Sequence, residues 1–162
     1  MMAGHYFDTS ALCRRYHTEP GSDVVERVFA EAGATQYVSW LTVLETQSAF
    51  ALKVRTGEIT ETKLALLRTR LLSDIRERQL LVVRVLRRHY DHAGKLLMTY
   101  GPTVRLRSLD ALHLAIALDL QQRGLAQKLF TADSAMISVG TQEGLTIINP
   151  LSSASRLQIA TE

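Results

Sequence analysis

Four carboxylates stand at comparable points along the chain, each just past a strand candidate or in the first turn of a helix. Asp8 closes the stretch 3–7 and precedes a helix that begins at Thr9. Glu45 falls in the first turn of the helix after a strand candidate at 36–40. Asp110 lies in the first turn of a helix opened by Ser108, and Asp133 follows the stretch 128–131 and can cap the next helix. Each has an everyday explanation. Asp8 and Asp133 serve as N-caps, Thr42 with Glu45 matches a capping box, and Asp110 complements a helix dipole. As a set they point elsewhere, because an open α/β sheet binds its ligands outside the carboxyl ends of its strands. Carboxylates gathered there repel by roughly 4 kcal/mol per pair at a separation of about 4 Å and an effective dielectric near 20. Only cations or protons relieve that. All-oxygen donors suit hard ions such as Mg²⁺ or Mn²⁺, and no Cys/His cluster favours zinc.

Other residues stand beside the four acids. Ser10 and Thr131, each two positions from an acid, can hydrogen-bond a carboxylate or an ion's water, or equally cap local backbone. Arg105 and Arg107 precede the Asp110 helix and can hold phosphate, Arg107 being the stronger candidate; a structural ion pair explains it as well. His113 is one helical turn beyond Asp110, but its neighbours Leu112, Leu114 and Ala115 make a satisfied core histidine the first reading. Trp40 and Phe50 read as core, and Cys13 as a small buried apolar residue.

Positioning these groups requires alternating strands and helices. Val24, Val25, Val28 and Phe29 recur at helical spacing over 22–32, up to Gly33. Thr42 opens a helix that stops at Gly57. Thr60 can cap the next one, with Ile59 and Leu64 as a hydrophobic staple and Leu64, Leu67, Leu71 and Ile75 as its buried stripe. Strand candidates at 80–85, 128–131 and 145–148 alternate with helices over 87–99, from Ser108, and near Asp133. The helix from Ser108 is too apolar, Leu109 through Leu120, for a surface element. The pattern predicts a three-layer α/β/α sandwich with a largely parallel central sheet. Residues 1–150 read as one domain and 151–162 as a C-terminal tail.

Tyr6-Phe7-Asp8-Thr9-Ser10-Ala11-Leu12, Thr42-Val43-Leu44-Glu45, Arg107-Ser108-Leu109-Asp110-Ala111-Leu112-His113-Leu114-Ala115-Ile116-Ala117 and Phe130-Thr131-Ala132-Asp133 together resemble the four acidic motifs of PIN domains. They occur in that family's order, span residues 6 to 133, and depart from it at none of the four acids. The third motif is the most specific. The nearest likeness is to the toxin ribonucleases of VapBC-type bacterial toxin–antitoxin pairs. That resemblance implies a PIN-like fold and an endoribonuclease dependent on Mg²⁺ or Mn²⁺, hydrolysing RNA to leave a 5′-phosphate. Asp8, Asp110 and Asp133 are then the expected ligands, with Glu45 a ligand or the group that orients the attacking water. It also implies a cognate antitoxin partner and a homodimer. The stretch Thr42 to Arg78, two helices joined at Gly57, is the expected antitoxin groove. A housekeeping RNA-processing nuclease and a non-catalytic RNA- or partner-binding module are the competing readings. A phosphatase of the haloacid-dehalogenase type needs a second Asp where Ser10 stands.

Composition agrees with a cytoplasmic setting. One cysteine in 162 residues cannot form an internal disulfide. No apolar run reaches the ~18 residues that span a bilayer, and no signal peptide is visible at residues 1–16. The net charge of +3 leans towards anionic partners. Seven arginines between Arg68 and Arg88, against Asp74 and Glu77, form either a solvated helix face or an RNA-facing patch.

Overall fold

The structure, a computed structural model, describes residues 3–152. Strand β1 (Gly4–Phe7) shows how its layers arise. Successive strand side chains point to opposite faces, so Tyr6 enters one core cluster and Phe7 the other. In β4 (Lys128–Phe130), Leu129 and Phe130 divide the same way. With β2 (Thr35–Ser39), β3 (Leu81–Val83) and β5 (Thr146–Ile148), these strands form a wholly parallel sheet in the order β3-β2-β1-β4-β5. Helices α1 (Thr9–Tyr16), α2 (Ser22–Ala30), α3 (Trp40–Arg55) and α4 (Glu61–Arg76) cover the Phe7 face. Helices α5 (Arg87–Tyr100), α6 (Ser108–Gln122) and α7 (Ser134–Gln142) cover the Tyr6 face. The result is the expected α/β/α sandwich. No helix among the described residues is long and apolar enough to cross a membrane.

The chain runs β1, β2, β3 outward to one edge, then returns through α5 and α6 to lay β4 on the other side of β1. Neighbouring connections therefore diverge between β1 and β4, which opens a crevice above their carboxyl ends. Gly4 begins β1 because a Cβ there would lie 1.8 Å from the Leu125 carbonyl oxygen. Helix α6 is buried almost all round, from Asp110 to Leu118 and at Leu120.

Three expectations shift. Strand β2 ends at Ser39, not at residue 40, because Ser39 caps α3: its hydroxyl accepts from the Thr42 N–H, and Thr42 reciprocates to the Ser39 N–H. The capping box is thus Ser39–Thr42 rather than Thr42–Glu45, and Glu45 moves into the second turn. Trp40, the first residue of α3, is exposed, whereas Phe50 is core. The run of arginines is no single patch, because β3 interrupts it. Arg76 and Arg78 precede that strand's amino end, and Arg84, Arg87 and Arg88 follow its carboxyl end. Of the tail expected over 151–162, residues 153–162 lie outside the described residues.

Candidate active site

Asp8 is seated by the last rung of the β1–β4 ladder, its N–H donating to the Phe130 carbonyl at 3.1 Å. It is the N-cap of α1 and is buried. Its Oδ1 accepts from the Ala11 N–H and the Ser10 hydroxyl, both at 2.8 Å. Its Oδ2 accepts from Thr131 Oγ1 at 2.7 Å. Ser10 and Thr131 also tie Asp8 to the loop after β4: Ser10 Oγ accepts from the Ala132 N–H, and Thr131 Oγ1 from the Asp133 N–H. Burial drives the Asp8 carboxyl above its ordinary pKa, against the opposing pull of His113 and of these hydrogen bonds. A charge so placed favours a nearby cation.

Asp133 caps α7 with one oxygen, Oδ1 accepting from the Met136 N–H at 2.9 Å. Its Oδ2 lies 3.5 Å from Arg107 Nη2. Asp110, buried in the first turn of α6, accepts the Arg107 backbone N–H at 2.9 Å and Arg107 Nε at 3.0 Å on Oδ2. Its Oδ1 takes Arg107 Nη2 at 3.3 Å. One guanidinium therefore bridges the acids of two helix starts, and its charge also acts on Glu45. The capping uses and the gathering of the acids coexist, because a cap occupies only one carboxylate oxygen.

Glu45 reaches this group from α3, in the layer opposite α6 and α7. Its Oε1 accepts from Thr9 Oγ1 at 3.1 Å and lies 2.6 Å from His113 Nε2. Burial alone would raise its pKa, but the His113 contact and charge, with help from Thr9 and Arg107, hold it below the ordinary value. His113 is buried, as a core histidine should be, yet it is also joined to Glu45; helical spacing could not distinguish the two roles. Its Nδ1 lies 2.9 Å from the Tyr6 hydroxyl. Thr9 and Tyr6 were not among the sequence candidates. Tyr6 had a readable signal, since it stands two residues before Asp8 on a strand of period two. Arg105 is exposed, with no hydrogen-bond or ion-pair partner among the described residues.

The donor set is all oxygen and fits a hard divalent cation. Among the described residues no three acidic, histidine or cysteine side chains converge closely enough to chelate an ion as they stand. The positive charge between them is Arg107, which pairs with Asp110 and Asp133.

The PIN domain family profile matches residues 5–141. Among solved structures, the chain is similar to the sarcin–ricin-loop-cleaving toxin VapC20 of Mycobacterium tuberculosis. That match has 17% identity, covers 84% of this chain and 95% of the other, and has a TM-score of 0.61. FitAcB of Neisseria gonorrhoeae is 18% identical over 90% and 97% of the two chains, with a TM-score of 0.63. A toxin–antitoxin complex from Klebsiella pneumoniae is 15% identical over 90% and 97%, with a TM-score of 0.58. At such identities these likenesses speak for the fold. No curated protein sequence matches significantly.

Proposed function

The chain belongs to the PIN-domain family, and from that membership we propose that it is a divalent-metal-dependent endoribonuclease, the toxin of a bacterial toxin–antitoxin pair working in the cytoplasm. The observation that carries this reading is the gathering of Asp8, Asp110 and Asp133 about the β1/β4 crevice, with Glu45 entering from α3 and touching Thr9. The folds described as a loop-cleaving toxin and a toxin–antitoxin complex support it.

In this reading Asp8, Asp110 and Asp133 would hold Mg²⁺ or Mn²⁺, with Glu45 joining them through its free oxygen, directly or through the ion's water. When bound, such an ion would supply Lewis acidity to the scissile phosphate and would lower the pKa of the attacking water. Ser10 and Thr131 keep the buried Asp8 oriented, each donating to it. Glu45, held ionised, orients the water and accepts its proton. The water oxygen bonds to phosphorus as the bond to the 3′ oxygen breaks, and the leaving 3′ oxygen takes up a proton from solvent, giving a 5′-phosphate and a 3′-hydroxyl. Arg107, once released from Asp110 and Asp133, binds a substrate phosphate through its paired donors, and the exposed Arg105 adds a second positive charge beside the α6 start.

A cognate antitoxin is the proposed protein partner, with a second copy of the chain completing a homodimer. The α3–α4 hairpin offers the antitoxin an apolar surface at Trp40, Leu44, Leu52 and Leu66, all exposed. The direct test is cleavage of single-stranded or looped RNA by the purified chain, free of any inhibitor, in Mg²⁺ or Mn²⁺. Activity should vanish in EDTA, and undiminished cleavage in EDTA would remove the metal mechanism.

A further inference from the structure

We propose that His113 is a positioning residue for Glu45, a role that rests on the nuclease reading above. Glu45 is a flexible side chain on α3, and fixing it in one rotamer costs side-chain entropy. The site offsets that with two contacts on one oxygen: Thr9 Oγ1 at 3.1 Å and His113 Nε2 at 2.6 Å, both to Oε1. Oε2 has no hydrogen-bond partner among the described residues and is the oxygen left for an ion or its water. The other acids find their geometry locally, through a cap or the first helical turn. Glu45 alone, in the second turn of α3, has no backbone contact to orient its carboxylate.

His113 is itself held rigidly. It is 3% exposed, in the α6 face between Leu112 and Leu114. Its Nδ1 meets the Tyr6 hydroxyl at 2.9 Å, and Tyr6 reaches Ser39 Oγ at 3.2 Å. Ser39 in turn caps α3, the helix that carries Glu45. Glu45 is ionised and accepts only, so Nε2 carries the hydrogen between them. Burial keeps Tyr6 in its protonated form, its hydroxyl donating to Ser39 Oγ and lying 2.9 Å from His113 Nδ1. The chain Ser39–Tyr6–His113–Glu45 thus joins the start of α3 to α6 across the carboxyl edge of the sheet. It fixes the ring angle of His113 from both nitrogens, as outer-layer partners do around metal ligands.

The experiment measures Mn²⁺ binding to the metal-free chain by electron paramagnetic resonance, with melting temperature in EDTA beside it. Wild type is compared with His113→Leu, His113→Gln, Glu45→Ala and the Glu45→Ala/His113→Leu double variant. His113→Leu should weaken Mn²⁺ binding on the order of 10- to 100-fold. His113→Gln, which returns an N–H near the Nε2 position, should recover most of that loss. In the Glu45→Ala background the leucine should cost little more, because its effect passes through Glu45. An unchanged Mn²⁺ affinity in His113→Leu overturns the role. So does an equal further loss without Glu45, or failure of the glutamine to rescue while it melts like wild type. Wild type that takes up no Mn²⁺ overturns the nuclease reading itself, an outcome visible in the first arm alone.

Discussion

Arg107 stands where sequence left two readings open, phosphate binder or structural ion pair, and the structure realises the second, with contacts to Asp110 and Asp133. The two are compatible if the guanidinium exchanges carboxylates for phosphate when an ion arrives. Because its side chain is 69% exposed, solvent screens the pair and the competition is modest. Arg107→Gln should therefore tighten Mn²⁺ binding about fivefold, the equivalent of about 1 kcal/mol of relieved competition. It should also weaken RNA binding across sequences and flatten the salt dependence by about one phosphate contact. Titration calorimetry with Mn²⁺ and salt-dependent RNA binding read the two effects, and loss of Mn²⁺ affinity would assign Arg107 to building the site. Asp110→Asn follows the same logic. Arg107 already balances that carboxylate, so the variant should melt within a few degrees of wild type in EDTA. It should lose the Mg²⁺-induced rise in melting temperature and nearly all cleavage. Normal cleavage by Asp110→Asn would refute the site.

Among the elements, the α3–α4 hairpin can be altered apart from the acids. Thr60 caps α4 by accepting from the Lys63 N–H at 3.2 Å, and Ile59 and Leu64 pack in the same core cluster beside it. Thr60→Ala should cost about 1 kcal/mol of stability in urea unfolding and leave cleavage unchanged. On the outer side, Leu66 is 60% exposed. If the hairpin receives an antitoxin segment through apolar contacts, Leu66→Glu should preserve cleavage and weaken inhibition by the antitoxin at least tenfold. Inhibition curves at fixed chain concentration measure this, and full-strength inhibition of the variant would move the docking surface elsewhere.

Over the whole molecule, a contribution to acid stability is expected from His5, near the amino end of the central strand β1. Burial lowers its pKa, outweighing the hydrogen bond and charge of Glu31 at 3.3 Å; Lys128 adds to the lowering. The folded chain therefore resists a proton that the unfolded chain accepts near an ordinary histidine pKa of about 6.5. The stability due to neutral His5 is complete above that value and is lost as pH falls through the folded-state pKa. Wild type should lose more melting temperature between pH 7.5 and pH 5 than His5→Gln does in calorimetry. Equal losses would place the acid sensitivity in another group.

Sequence alone determined the layer architecture, because strand and helix periods are written in local side-chain patterns. It also determined the positions of Asp8, Asp110 and Asp133 at element starts, because capping chemistry is local. It misread the start of α3, since Ser39 and Thr42 compete for the same capping geometry and only the packed strand end selects between them. It placed Trp40 in the core because an aromatic residue does not declare which side of its helix faces solvent. It saw seven arginines as one run, although β3 carries the chain from the amino ends of the strands to their carboxyl ends between them. The strand order that opens the β1/β4 crevice, the Arg107–Asp133 pair and the Glu45–His113 contact were decided by tertiary structure. Each joins residues far apart in the chain, as Glu45 and His113 are by 68 positions, and no local pattern encodes such a pairing.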